Sequence, residues 1–276
     1  QLMRILDLDR LSHEADAQAD SFTSAVPYPH IVIDDFLSEE ACDALLEEFE
    51  MPSEAGGWGH YIHYNERKLG ATQLDRMGPQ TQAIVAALST QEFLDWLEKI
   101  TGIDSLIPDP DLDGGGLHKI ERGGFLNVHV DFLAHTTHRN WSRQLNLLLY
   151  LNRDWEESYG GALELWDANM ERKVQEVAPL FNRCVIFHTA PGSYHGHPTP
   201  LSCPADRSRK SLALYYFRDE GTPQRLRPTH YRARPDDPFW KHGLVAADRL
   251  ALRVYAVLKR YAGLGDSTIH RILKRF

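Results

Sequence analysis

The chain has few cysteines: Cys42, Cys184 and Cys203 are the only three in 276 residues. They are odd in number and far apart, which argues against a disulfide framework or a zinc ribbon and suits a reducing cytoplasm. Long apolar runs are missing too. Nothing approaches the roughly 18 consecutive apolar residues of a membrane span, and Gln1 to Asp20 is acidic where a signal peptide would be basic and then apolar. Neither a transmembrane segment nor a signal peptide is expected. Positive charge is scarce: 30 Lys and Arg face 39 Asp and Glu, a formal net charge of -9. Binding driven by contacts to nucleic-acid phosphates is therefore not expected. Internal repeats and low-complexity segments are also lacking.

The charge is unevenly spread. Residues 1–60 hold fourteen acidic residues against Arg4 and Arg10, whereas residues 241–276 hold eight basic residues against Asp248 and Asp266. With 42% hydrophobic and 25% charged residues, the composition is that of an ordinary globular protein able to bury a sizeable core. Ile31–Phe36 reads as a strand, and Ser38 as the N-cap of a helix running to about Phe49, with Glu39 and Glu40 favouring its first turn. Apolar residues at near-helical spacing predict one helix from about Gln80 to Ile100. From Leu117 to Phe217 the pattern changes to short β-branched and aromatic runs (Phe125–Phe132, Gln144–Leu151, Ala162–Trp166, Arg183–Phe187 and Leu212–Phe217). Turn residues separate them, which is a β-sandwich or barrel signature. Thr222–Pro238 reads as an irregular connection. Asp248 to about Tyr261 is an amphipathic helix, with Leu250, Val254 and Leu258 on one side and Arg249, Arg253 and Arg260 on others.

His129 and Asp131 are one residue apart in a strand, so their side chains share a face. A third ligand from elsewhere in the barrel would complete two histidines and a carboxylate on one face of a metal, the set associated with iron(II) oxygenases. His195 is the first candidate, and His197, in the same short segment, competes with it. Fourteen residues after His195 comes Arg209-Lys210-Ser211. On a strand Arg209 and Ser211 share a face, and a guanidinium beside a hydroxyl suits the distal carboxylate of a dicarboxylic acid. Alternatively, Arg209 is one surface cation among several in Asp206–Lys210.

The order of these features resembles the 2-oxoglutarate oxygenases, and more narrowly their prolyl 4-hydroxylase-like branch. Four stretches carry the resemblance: Gly123–Asp131, Leu147–Trp155, Tyr159–Leu163 and Arg209–Phe217. It implies a mainly β fold with flanking helices, built on a double-stranded β-helix or jelly-roll core. It implies Fe(II) held by His129, Asp131 and His195, and His195 is preferred to His197 because its register matches when Arg209 is aligned. It also implies 2-oxoglutarate anchored by Arg209, with Ser211 beside it and Tyr150 as a further contact. Asn127 shares the face of His129 and is a candidate contact to the co-substrate or to iron-bound water. The implied reaction couples O2 and decarboxylation of 2-oxoglutarate to succinate with hydroxylation of an unactivated carbon, with ascorbate as a candidate reductant. Asp131 favours hydroxylation, since related halogenases carry a small residue there.

The chain departs from the family where relatives commonly place a Tyr about ten residues before the first His; here that position is Lys119, with His118 beside it. Substrate is open between a prolyl residue or other amino acid and a sugar or glycan, because specificity lives in loops such as Trp58–Gly70 and Leu133–Trp141. Three segments are expected: 1–116 packing on the core, the core at 117–220, and a basic extension at 221–276. That extension would pack on the core, mediate a homodimer or touch an anionic surface, in that order of preference. The rival readings are a cupin-like metal enzyme that needs no 2-oxoglutarate and a catalytically silent binding module.

Overall fold

The computed structural model describes residues 4–50, 58–225 and 229–262. Helix α1 (Leu8–Ser24), capped by the Asp7 carboxylate, leads into β1 (His30–Ile33) and α2 (Glu39–Glu50). The Ser38 hydroxyl accepts from the Ala41 amide, so it caps α2 as its sequence predicts. Strands β2 (Gly59–His63) and β3 (Glu66–Ala71) form a hairpin, followed by α3 (Pro79–Ala87) and α4 (Gln91–Thr101). The single helix expected over Gln80–Ile100 is thus two. The chain leaves α3 at Leu88, and Thr90 opens α4 by accepting from the Phe93 amide at 3.4 Å. The first strand also ends at Ile33, three residues short of the expected Phe36.

Strands β4 (Ile107–Pro108), β5 (Gly116–Glu121), β6 (Phe125–Val130), β7 (Trp141–Tyr150), β8 (Leu163–Trp166) and β9 (Lys173–Val177) follow. Then come β10 (Arg183–His188), β11 (His195–His197), β12 (Ser208–Asp219), β13 (His230–Tyr231) and the helix α5 (Phe239–Ala262). Among the described residues the strand pairings are antiparallel, and the strands run in the order β1-β10-β7-β12-β5-β3-β6-β11-β8-β9. Strand β3 pairs with both β5 and β6, bridging the two halves of a nearly closed jelly-roll barrel.

Alternation along β7 and β12 separates two interiors. Leu145, Leu147, Leu149, Leu212, Leu214 and Tyr216 pack outward in one core with helices α1–α4. Tyr150 and Tyr215 belong to clusters on the opposite, barrel side. Because both faces are covered, these strands read as near-continuous apolar runs. Cys184 and Cys42 lie in the helix-side core, whereas Val185 and Phe187 of the same β10 face the barrel. All three cysteines are free and buried. No helix among the described residues is long and apolar enough to cross a membrane.

Helix α5 begins nine residues before the expected Asp248. Val245 packs against Tyr231 and Ala233, and Asp248 reaches the β2–β3 hairpin. Leu250 (62% exposed) and Val254 (54% exposed) face outward instead of docking. The side chains of Arg249, Arg253, Leu258 and Arg260, and the whole of Arg271–Phe276, lie outside the described residues. At the hairpin, His63 Nε2 meets Glu66 at 2.8 Å and Nδ1 lies 3.5 Å from Asp248. Burial opposes a charge on His63, but the Asp248 and Glu66 carboxylates outweigh it and raise its pKa to about 9. The folded value exceeds the ordinary 6.5, so the imidazolium contributes stability that is complete below that pH and lost as pH rises towards 9. Urea unfolding from about pH 6 to about pH 10 should show this loss, about 3 kcal/mol at most, and His63→Gln should flatten it.

Candidate active site

Strand β6 carries His129, and Asp131 follows directly after its last residue. Strand β11 pairs with β6 so that His195 stands opposite His129. The two rings lie 4.5 Å apart between centroids. Asp131 Oδ1 is 3.4 Å from His129 Nε2, and Oδ2 is 3.3 Å from His195 Nε2. One ligand atom from each residue falls within 4.8 Å of the others.

The hydrogen bonds behind the rings fix which nitrogen faces forward. His129 Nδ1 donates to the Asn127 carbonyl at 2.8 Å, and His195 Nδ1 donates to the Ser193 carbonyl at 3.0 Å. A carbonyl only accepts, so in each neutral ring Nε2 holds the lone pair and points at Asp131, as a metal-ligating imidazole requires. Burial and the neighbouring His195 hold the His129 pKa below the usual histidine range. Burial would raise the Asp131 pKa, but the Arg143 guanidinium holds it well below the carboxylate range. His195, not His197, belongs to this cluster. Both ring nitrogens of His197 are buried without a hydrogen-bond partner.

A second grouping, Asp111, His135 and His138, also brings its ligand atoms close together. Its bonding is the reverse. His135 Nδ1 accepts from the Thr137 and His138 amides, both at 3.1 Å, so Nε2 carries the proton and donates to Asp109 at 3.1 Å. His135 has no lone pair left for a cation. Asp109 also accepts from the Asp111 and Asp113 amides, so this cluster staples the β4–β5 connection to the loop before β7.

Deeper in the barrel, Arg209 of β12 is 4% exposed. Its Nε donates to the Gly161 carbonyl at 2.8 Å and its Nη2 to the Tyr150 hydroxyl at 3.2 Å. Among the described residues no carboxylate pairs with it, and burial lowers its pKa. Gly161, with φ +78°, has a direct part here. A side chain there would meet Leu201 at 2.7 Å and the Arg209 Cδ at 3.0 Å, so glycine lets the backbone reach the guanidinium. Ser211, buried, stands opposite Tyr150 on one side and His118 on the other. His118 therefore shares the face of Arg209 and Ser211, and Lys119 takes the other face. Burial and the Lys68 ammonium push the His118 pKa down to about 3. Asn127 sits in a bulge of β6, where simple alternation with His129 is interrupted, and its amide donates to the Asn65 side chain at 3.0 Å.

Arg143 and Asn146 escaped the sequence reading. The Asn146 amide donates to Asp131 Oδ2 at 2.5 Å, and Arg143 Nη2 lies 3.4 Å from the same oxygen. The Arg143 guanidinium stacks 3.3 Å from the Tyr215 ring centroid, and neither Nη has a hydrogen-bond partner. Positions 143 and 146 differ by three, so alternation puts them on opposite faces. A bulge reverses this: Tyr216 pairs with Leu145 and Phe217 with Arg143, which leaves Gln144 unmatched and turns Arg143 into the barrel. Only the pairing partner shows the bulge. Lys68, half-buried and paired with Glu66 at 2.9 Å, falls within the Trp58–Gly70 segment that sequence reasoning took only as a specificity loop.

Two histidines and a carboxylate converging in a jelly roll form a donor set of the kind associated with iron(II) oxygenases, and the same interior holds a buried arginine. Residues 115–217 match the model of the 2OG-Fe(II) oxygenase superfamily. That match supports a 2OG-Fe(II) oxygenase similar to the prolyl 4-hydroxylases, a class that uses Fe(II) and 2-oxoglutarate. The chain is 29% identical over 232 residues to the mouse prolyl 3-hydroxylase OGFOD1, covering 81% of this chain but 37% of that relative. Two solved structures share the fold. A Trichoplax adhaerens prolyl hydroxylase, in complex with a hypoxia-inducible-factor oxygen-degradation-domain peptide, superposes with a TM-score of 0.56 at 17% identity, over 78% of this chain and 93% of that one. A Pseudomonas putida prolyl-4-hydroxylase gives 0.52 at 18% identity, over 73% and 98%.

The two histidine clusters should separate in a metal titration. With Mn(II) or Co(II) in equilibrium dialysis, His129→Ala and His195→Ala are expected to lose affinity by about 100-fold or more. His135→Ala should bind metal like the wild type while melting at a lower temperature.

Proposed function

We propose that this chain is an Fe(II)- and 2-oxoglutarate-dependent hydroxylase of prolyl residues in a protein or peptide. The observation that carries it is the shared interior of two elements. His129, Asp131 and His195 converge with both Nε2 lone pairs forward, and Arg209 is a buried cation without a carboxylate of its own. In this reading His129, Asp131 and His195 hold the iron, and the Asn146 amide and Arg143 keep Asp131 ionised and oriented. Arg209 receives the distal carboxylate of 2-oxoglutarate. The Tyr150 hydroxyl, which accepts from Arg209, keeps its own proton to donate to that carboxylate, and Ser211 lies alongside. When bound, iron and 2-oxoglutarate together supply the oxidising chemistry, and the protein fixes geometry and limits water.

The prolyl assignment draws on the names of the relatives and on Arg143. Its free Nη donors, beside Asp131 and braced on Tyr215, suit a substrate backbone carbonyl, which offers an acceptor without a charge. Asn127, joined to Asn65, ties the β2–β3 turn to the strand that carries His129, so that hairpin forms one wall of the site. The 117–220 segment would be the catalytic core, with the preceding and following segments shaping access to it. Three free buried thiols suit a reducing cytoplasm.

The test is succinate formation from 2-oxoglutarate by the Fe(II)-loaded protein under air, with and without proline-containing peptides. The wild type should turn over slowly alone and faster with a substrate peptide. His129→Ala should be inactive, and Arg209→Ala should lose about 100-fold or more in kcat/KM for 2-oxoglutarate. Wild-type protein that neither binds nor consumes 2-oxoglutarate would end the proposal.

A further inference from the structure

His197 has no part in the mechanism above, and its surroundings give it one. It lies two residues beyond His195 on β11, and since the bulge between their pairings takes its extra residue on β6, the two histidines keep one face of β11. The residue is 3% exposed, and neither ring nitrogen has a hydrogen-bond partner. The charged groups that act on it are Arg209, Lys68 and His129. In either ordinary protonation state an imidazole carries at least one N–H. A buried donor without an acceptor is rare, because it has given up water for nothing. Arg209 and Lys68 only donate, so the missing acceptor is one that a ligand brings.

We infer that His197 is a positioning residue for the co-substrate, donating a hydrogen bond to the carboxylate that Arg209 binds. This rests on the 2-oxoglutarate reading of the site. It makes His197 a third donor to that carboxylate, beside the Arg209 guanidinium and the Tyr150 hydroxyl. An arginine already committed to Gly161 and Tyr150 through Nε and Nη2 has limited remaining capacity for a two-oxygen acceptor, and His197 approaches from the neighbouring half of the barrel.

The experiment is an anaerobic titration of the Fe(II)-loaded protein with 2-oxoglutarate, followed by the charge-transfer absorption of the chelate. A parallel titration uses 2-oxovalerate, which chelates through the same 2-oxo acid group but has no distal carboxylate. His197→Leu should weaken 2-oxoglutarate binding roughly ten- to a hundredfold, as expected for a lost hydrogen bond to a charged group. It should leave 2-oxovalerate binding and Co(II) affinity within about twofold of the wild type, and His197→Gln, which keeps an N–H, should recover part of the loss. Equal 2-oxoglutarate affinity in wild type and His197→Leu would overturn the inference and point to a buried water as the ring's partner. Parallel loss for both 2-oxo acids and for metal would also overturn it, by showing a role in folding the site. If the wild type binds no 2-oxoglutarate, the oxygenase reading itself fails, and that result is distinct from both.

Discussion

The pairing of β6 with β11 is the constraint on which the site depends. It sets His195 opposite His129, and the backbone carbonyls of Asn127 and Ser193 then fix both rings with Nε2 forward. A slip of one residue would turn every side chain of β11 to the other face of the sheet. The short strand is pinned on both edges, by β6 and by β8, and by a glycine between its histidines. At Gly196 a side chain would meet the Leu126 and Asn127 carbonyls at 2.9 and 3.0 Å, so no other residue allows this close an approach.

The barrel interior is costly to build, because it buries charge. Arg143, Arg209 and Lys68 stand inside or at its rim against Asp131 and Glu66, and each carboxylate is held ionised by a cation that touches it. Removing one partner of such a set leaves an uncompensated buried charge, which costs far more than an exposed ion pair contributes. The balance leaves one guanidinium over, a buried positive charge that one further carboxylate would neutralise.

Much of this was legible in the residues. The His-x-Asp pair works because strand alternation is a local rule, and the same rule puts Arg209 and Ser211 on one face. The jelly roll followed from closely spaced apolar runs broken by Gly, Asn and Asp. Features set by a distant partner were not legible. The choice between His195 and His197 rests on which one register brings to Asp131, and Arg143 enters the site only through a bulge that its own sequence does not encode. The break between α3 and α4 was visible in Ser89-Thr90 but was outweighed by the longer apolar period around it. Helix α5 misled in the other direction, since an amphipathic pattern identifies an apolar stripe without saying what covers it.

The two faces of β10 have a further consequence. Val185 and Phe187 look towards the histidines, while Cys184 looks the other way, into the core it shares with Cys42. Burial also raises the pKa of both sulfurs, so they remain protonated thiols, the less reactive form. An enzyme that handles dioxygen risks damaging itself whenever turnover misfires. Here the thiols of that core are insulated from such accidents by the thickness of a sheet, and the aliphatic and aromatic side chains facing the reaction include none of them.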